Sequence, residues 1–315
     1  MRTFVGFWFV LTLWSTAALG RDIFVDNVSG DDHFTGELPG GSGGTGGPVR
    51  TIAKALRLAR SGDAIVLAKT DVAYRESVTL EGSRQSGTKE RPFAIRGNGA
   101  VLDGSAPVPA GAWESYQGAI FRFRPRQGDS QQLFLDGRPA VQVTVAGSSG
   151  GPPELKPRQW CFRGGYVYFC VEQTKLPADY QLAYARERAG ITLFHVDYVT
   201  IANLTVQGFQ LDGINLYNTA RDVSLVDVLC RGNGRSGVAV GGASTVEIEA
   251  SRLGDNGQAQ LLTLPYSQTD LRETHLLSNT APGWVDQGGR VYRDGKRLTG
   301  GLDEFRPTGQ RRPPP

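Results

Sequence analysis

VSLVDVLCRGNGRSGVAVGG (residues 223–242) places glycines at 232, 234 and 237, the G-x-G-x-x-G spacing of a dinucleotide-binding loop. That fingerprint carries meaning only between a strand and a helix, with an acidic residue about 20 positions further on. The next residues are Val238-Ala239-Val240 and then two glycines, which favours a strand. The flanking sequence gives these glycines another role.

VTIANLTVQGFQLDGINLYN (residues 199–218) lines up with it one period earlier. Ile201, Leu225, Ile248 and Leu271 recur at intervals of 24, 23 and 23 residues, and Val206, Cys230, Leu253 and Leu276 keep the same three intervals. Asn233, Asn256 and Asn279 recur at 23 and 23. Three columns on one period are the signature of a repeat architecture. Each unit reads as short strands joined by tight turns, so its coils must stack as a parallel solenoid, about 4.8 Å per coil. The aliphatic columns form the interior, with Cys230 a small buried hydrophobe among them. The asparagine column is expected to hydrogen-bond along the axis at a corner. Gly208 and Gly232, and likewise Gly213 and Gly237, stand 24 apart, where the chain must turn with φ > 0. GNGRSG reads as a solenoid corner, not a nucleotide site.

These coils resemble those of the right-handed parallel β-helix family. IFVDNVSGDDHFTG (23–36) and GPVRTIAKALRLARSGDAIVLAK (47–69) resemble the leader of secreted bacterial members, which are pectate-lyase-like, carbohydrate-active proteins. The resemblance covers most of residues 22–104 and 191–289. It implies an all-β fold of about 23–24-residue coils with an N-terminal helical cap, where Ile52, Ala55, Leu56 and Ala59 share one apolar face. Between the two matching stretches, QQLFLDGRPAVQVTV (131–145) and QWCFRGGYVYFCVEQ (159–173) break the period and read as an inserted antiparallel β-subdomain. The expected organisation is a signal peptide at 1–20, cap and first coils at 21–104, the insertion at 105–190, main coils at 191–289, and a C-terminal cap with a disordered tail at 290–315.

The first 20 residues have a charged start, an apolar run from Phe4 to Trp14 and the small-x-small ending Ala18-Leu19-Gly20. That is a secretory signal, and its apolar run is shorter than the roughly 20 residues of a membrane span. A secreted or periplasmic location is expected, with no membrane span after cleavage. The net charge of +3 is too small to argue for nucleic acid, and 42 glycines suit a turn-rich β-protein. Cys161 and Cys170 flank a hairpin turning at Gly164-Gly165, which puts both on one face as diagonal neighbours and makes them the disulfide candidates.

The family resemblance implies a polysaccharide partner. Two readings stay open: a lyase or glycoside hydrolase acting on a polyuronate such as pectin or alginate, and a non-catalytic carbohydrate-binding or cell-surface module. A lyase needs a base beside a neutralised uronate. The main coils contain no lysine, and Arg235 is the candidate for that role. A hydrolase needs two carboxyls about 5–10 Å apart, for which Asp212 and Asp255 are the candidates. Asn215, Tyr217 and Tyr266 are the candidate substrate-binding residues, and Trp160, Tyr166 and Tyr168 a candidate sugar platform. The polygalacturonase signatures Asn-x-Asp, Asp-Asp and His-Gly are absent from the coils. His33, His195 and His275 lack ligand spacing, so no metal site and no cofactor are expected, calcium being the one ion that uronate chemistry would admit. A monomer is expected.

Overall fold

The computed structural model describes residues 20–41, 44–126, 130–143 and 151–299, so the signal peptide and the tail expected from the sequence lie outside the described residues. Nearly all of the described structure is strand. An 11-stranded sheet runs in the order Asp22–Val25, Ala64–Leu67, Phe93–Asp103, Asp197–Gln207, Arg221–Arg231, Thr245–Glu249, Gln268–Arg272, Arg290–Arg293 and Lys296–Arg297, with Arg252–Gly254 and His275–Leu276 continuing it beside Arg221–Arg231. A six-stranded sheet stacks Val78–Glu81, Ile191–Phe194, Asp212–Tyr217, Ser236–Val240, Ala259–Thr263 and Trp284–Asp286. Every pairing in these two sheets is parallel except the terminal hairpin Arg290–Arg293 with Lys296–Arg297.

The sequence columns are the register of these ladders. Ile201 pairs Leu225, Leu225 pairs Ile248, and Ile248 pairs Leu271; Val206, Cys230, Leu253 and Leu276 do the same. Both columns belong to the apolar core or pack against it. The chain turns at single left-handed residues that also stack. Asn203, Asp227, Ala250 and Glu273 have φ of 52, 51, 48 and 46°, one per coil. Pairing passes directly from Ala202↔Val226 to Leu204↔Val228, so the strand bends at Asn203 without losing its neighbours. A second column comprises Gly208, Gly232 and Asp255, at φ of 78, 63 and 57°.

Gly213 and Gly237 depart from the expectation of positive φ. Their reason is space: a Cβ on Gly213 would lie 2.8 Å from Asn233 Nδ2, and one on Gly237 2.8 Å from Asn256 Nδ2. The asparagine column therefore requires a glycine opposite each amide. Phe209 N donates to Asn233 Oδ1 at 3.2 Å, and Asn233 N and Nδ2 both donate to Asn256 Oδ1 at 3.0 Å. The third member slips by one residue: the exposed Asn279 bonds the backbone N and carboxylate of Asp255 instead.

The helix spans Ile52–Leu58, with Thr51 Oγ1 accepting from Lys54 N as its N-cap. The Glu76 carboxylate accepts from Ile52 N and Ala53 N, and Ile52 and Ala55 join the core. Residues 105–185 build two further, mainly antiparallel sheets of five and four strands. Their hairpin Gln159–Arg163 with Tyr166–Cys170 turns at Gly164 and Gly165, φ 56 and 78°, as the sequence implies. Cys161 and Cys170 do share a face and one small cluster, yet both are free thiols. Cys161 lies opposite Tyr168, so Cys170 is its diagonal neighbour. Diagonal Cα atoms stand about 7–8 Å apart, beyond the reach of a disulfide. Trp160 is buried on the other face with its Nε1 donating to Ala140 O, so it shares no platform with Tyr166 and Tyr168.

Candidate functional site

Three of the residues singled out from the sequence come together on neighbouring coils. Arg235 donates from Nε and Nη2 to the two oxygens of the Asp212 carboxylate, and from Nη2 to the Tyr217 hydroxyl at 3.1 Å. Ser236 Oγ adds a further bond to Asp212 at 2.7 Å. Parallel pairing of Asp212 with Ser236 brings the groups within reach. The Asp212 side chain is 0% exposed and that of Arg235 25%. Hydrogen bonding to Asp212 raises the Arg235 pKa further above its ordinary range, outweighing the opposite effect of burial. A guanidinium so held donates to Asp212 and Tyr217, an arrangement that disfavours the proton abstraction expected of Arg235 as a lyase base. Asp212 in turn accepts three hydrogen bonds, two from a bidentate partner and one from a hydroxyl, so this ion pair clamps one coil to the next. Asn215 lies between Asp212 and Tyr217 on the same strand, 5% exposed, and its Oδ1 has no partner.

The remaining sequence candidates lie elsewhere. Asp255 is bonded by Asn279, whereas the other carboxylate of the expected hydrolase pair, Asp212, is bonded by Arg235 and Ser236; Asp255 occupies the left-handed corner column of Gly208 and Gly232, a conformation aspartate tolerates better than most residues. Tyr266 stands in a loop at φ 67° and is 85% exposed. Among the described residues no group of three or more His, Cys, Asp or Glu side chains is placed to hold a metal ion. No helix among them is long and apolar enough to cross a membrane.

Asp255 instead opens onto a cleft of about 540 Å³ between the coil corners and the four-stranded antiparallel sheet. One wall carries Asp103, Gln207, Arg231, Asp255 and Thr280; the other carries Phe134, Arg138 and Pro139. Asp103 pairs with Gln207 and Gln207 with Arg231 across successive coils, which places these three side chains in one column. Gln207 Nε2 donates to Asp103 Oδ2 at 3.1 Å, and Arg231 Nε donates to Gln207 Oε1 at 2.9 Å. Neither Arg231 nor Arg138 has a carboxylate ion pair among the described residues. Sequence reasoning missed this site. Gln207 and Arg231 are 24 residues apart and within reach of the period, whereas Asp103 and Arg138 come from outside the repeat.

Neither a family model nor a curated protein matches the chain. Among solved structures, one of XylC with xylose aligns at 12% identity with a TM-score of 0.40, covering 86% of this chain and 69% of that one. A GH136 lacto-N-biosidase from Eubacterium ramulus aligns at 12% identity with a TM-score of 0.37, covering 81% of this chain and 46% of its own. This chain therefore spans about half the length of the lacto-N-biosidase.

Proposed function

We propose that this chain is a right-handed parallel β-helix protein, secreted or periplasmic, that recognises an acidic polysaccharide in the cleft between its coil corners and the inserted antiparallel sheets. The observation that carries this reading is the pair Arg138 and Arg231 on facing walls, neither neutralised by a carboxylate among the described residues. Two such cations suit a chain that carries a carboxylate on its sugars. Phe134 and Pro139 offer an apolar surface to the C–H face of a pyranose, and Asp103 and Thr280 offer partners to its hydroxyls. The helix Ile52–Leu58 is read as covering the first coil.

The spacing of the acids favours recognition over hydrolysis at this place. Asp103 and Asp255, the two carboxylates of the cleft, stand three coils apart in register, roughly 14 Å along the stack. Glycosidases of either stereochemistry hold their carboxyls within about 9.5 Å.

The test is titration of residues 21–315 with pectin, alginate and neutral glycans, with and without calcium, while ultraviolet absorbance and reducing ends are followed. Binding of one acidic glycan without new products, weakened about tenfold by Arg231→Ala, supports the reading. Cleavage products, or tight binding that Arg231→Ala leaves untouched, sinks it.

A further inference from the structure

The column Asp103–Gln207–Arg231 does more than line the cleft. Asp103 and Arg231 are two coils apart, about 9–10 Å along the stack, and no ion pair joins them directly among the described residues. Gln207 fills the gap with an orientation its neighbours dictate. A carboxylate only accepts and a guanidinium only donates, so the amide must present Nε2 to Asp103 and Oε1 to Arg231. Asp103 is itself fixed, 8% exposed, with Oδ1 accepting from Ser105 N and lying 3.9 Å from Arg75 Nη1. Among the described residues Arg231 is hydrogen-bonded through Nε, and it lines the cleft without an ion pair to Asp103 or Asp255.

We propose that Gln207 is a positioning residue that sets the specificity of this cleft for anionic sugars: it orders the Arg231 guanidinium while insulating it from Asp103. The inference rests on the cleft being the polysaccharide site. A direct Asp–Arg pair would have neutralised the cation. A free arginine would instead spend binding energy on being ordered. The amide avoids both outcomes.

The experiment measures the affinity of the whole secreted chain for a polyuronate oligomer and for the same oligomer with its carboxyls reduced to alcohols. Gln207→Leu removes both hydrogen bonds and is expected to reduce the preference for the acidic form about 3- to 10-fold, with affinity for the reduced form unchanged. Gln207→Glu keeps the length but gives Arg231 a carboxylate partner, and should abolish the preference and flatten the salt dependence of acidic binding. A residue that only supports the fold would weaken both ligands alike, and that result, or full wild-type preference in either variant, overturns the proposal. Gln207→Glu decides the matter should Gln207→Leu fail to fold. Absence of any preference in the wild-type chain overturns the cleft reading itself, and this inference with it.

Discussion

Replacing Asn256 by alanine tests whether the asparagine column holds the coils together. Asn256 is 0% exposed, and its Oδ1 accepts from both Asn233 N and Asn233 Nδ2. Its Nδ2 donates to Cys230 O at 3.1 Å, Gly254 O at 2.9 Å and Gln260 Oε1 at 2.8 Å. Alanine leaves at least the Asn233 N–H and one of these oxygens buried without a partner, each costing about 1–3 kcal/mol. Asn233 Nδ2 keeps only Val206 O, at 3.4 Å. The expected loss is therefore about 3–5 kcal/mol, a large part of the roughly 5–15 kcal/mol typical of a folded domain. Asn279→Ala removes two bonds at an exposed corner, where water replaces them, and should cost less than about 1 kcal/mol. Urea denaturation of both variants, compared at a common m-value, reads the difference. Equal losses, or a loss under about 1 kcal/mol for Asn256→Ala, would refute the argument that the buried column carries this stability.

Three further outcomes are expected. Ala250 is exposed at φ 48° with no side-chain bond to compensate, so Ala250→Gly should stabilise the fold by about 0.5–1 kcal/mol, measured by thermal denaturation; a lower melting temperature would contradict it. Asp212→Ala strips a partly buried guanidinium of its partner and should cost about 3–5 kcal/mol in the same measurement. Burial pushes the Cys161 thiol up to about 11, and burial also raises Cys170 and Cys230. The fold therefore favours the protonated thiol, and this contribution is complete below the ordinary thiol pKa near 9 and lost as pH rises through about 11. Ellman titration should find three thiols in denaturant and almost none in the native protein at pH 8, whereas a Cys161–Cys170 bond would leave one.

The main coils were legible in the sequence because a parallel stack forces equivalent residues into vertical register. Burial then selects the same class of side chain every 23 or 24 positions, as at Ile201, Leu225, Ile248 and Leu271. The glycines of residues 232–237 could be assigned to a corner for the same reason. The sequence could not show that Gly213 and Gly237 clear space for an amide, because that contact joins two different coils.

The functional reading depended most on tertiary structure. Asp212 and Arg235 were recognisable as polar residues on adjacent coils, but only their mutual geometry makes them a clamp. Asp255 carries a carboxylate a hydrolase would need, yet it lines the corner cleft and is bonded by Asn279, while Asp212 is held by Arg235. The cleft joins Asp103, Arg138, Gln207 and Arg231, which are scattered over nearly 130 residues and belong to three strands of the 11-stranded sheet and one of the four-stranded sheet. No local pattern links them. Periodicity fixed which residues stack, since stacking repeats along the chain; the docking of the antiparallel sheets happens once, leaves no repeat, and was decided by the fold alone.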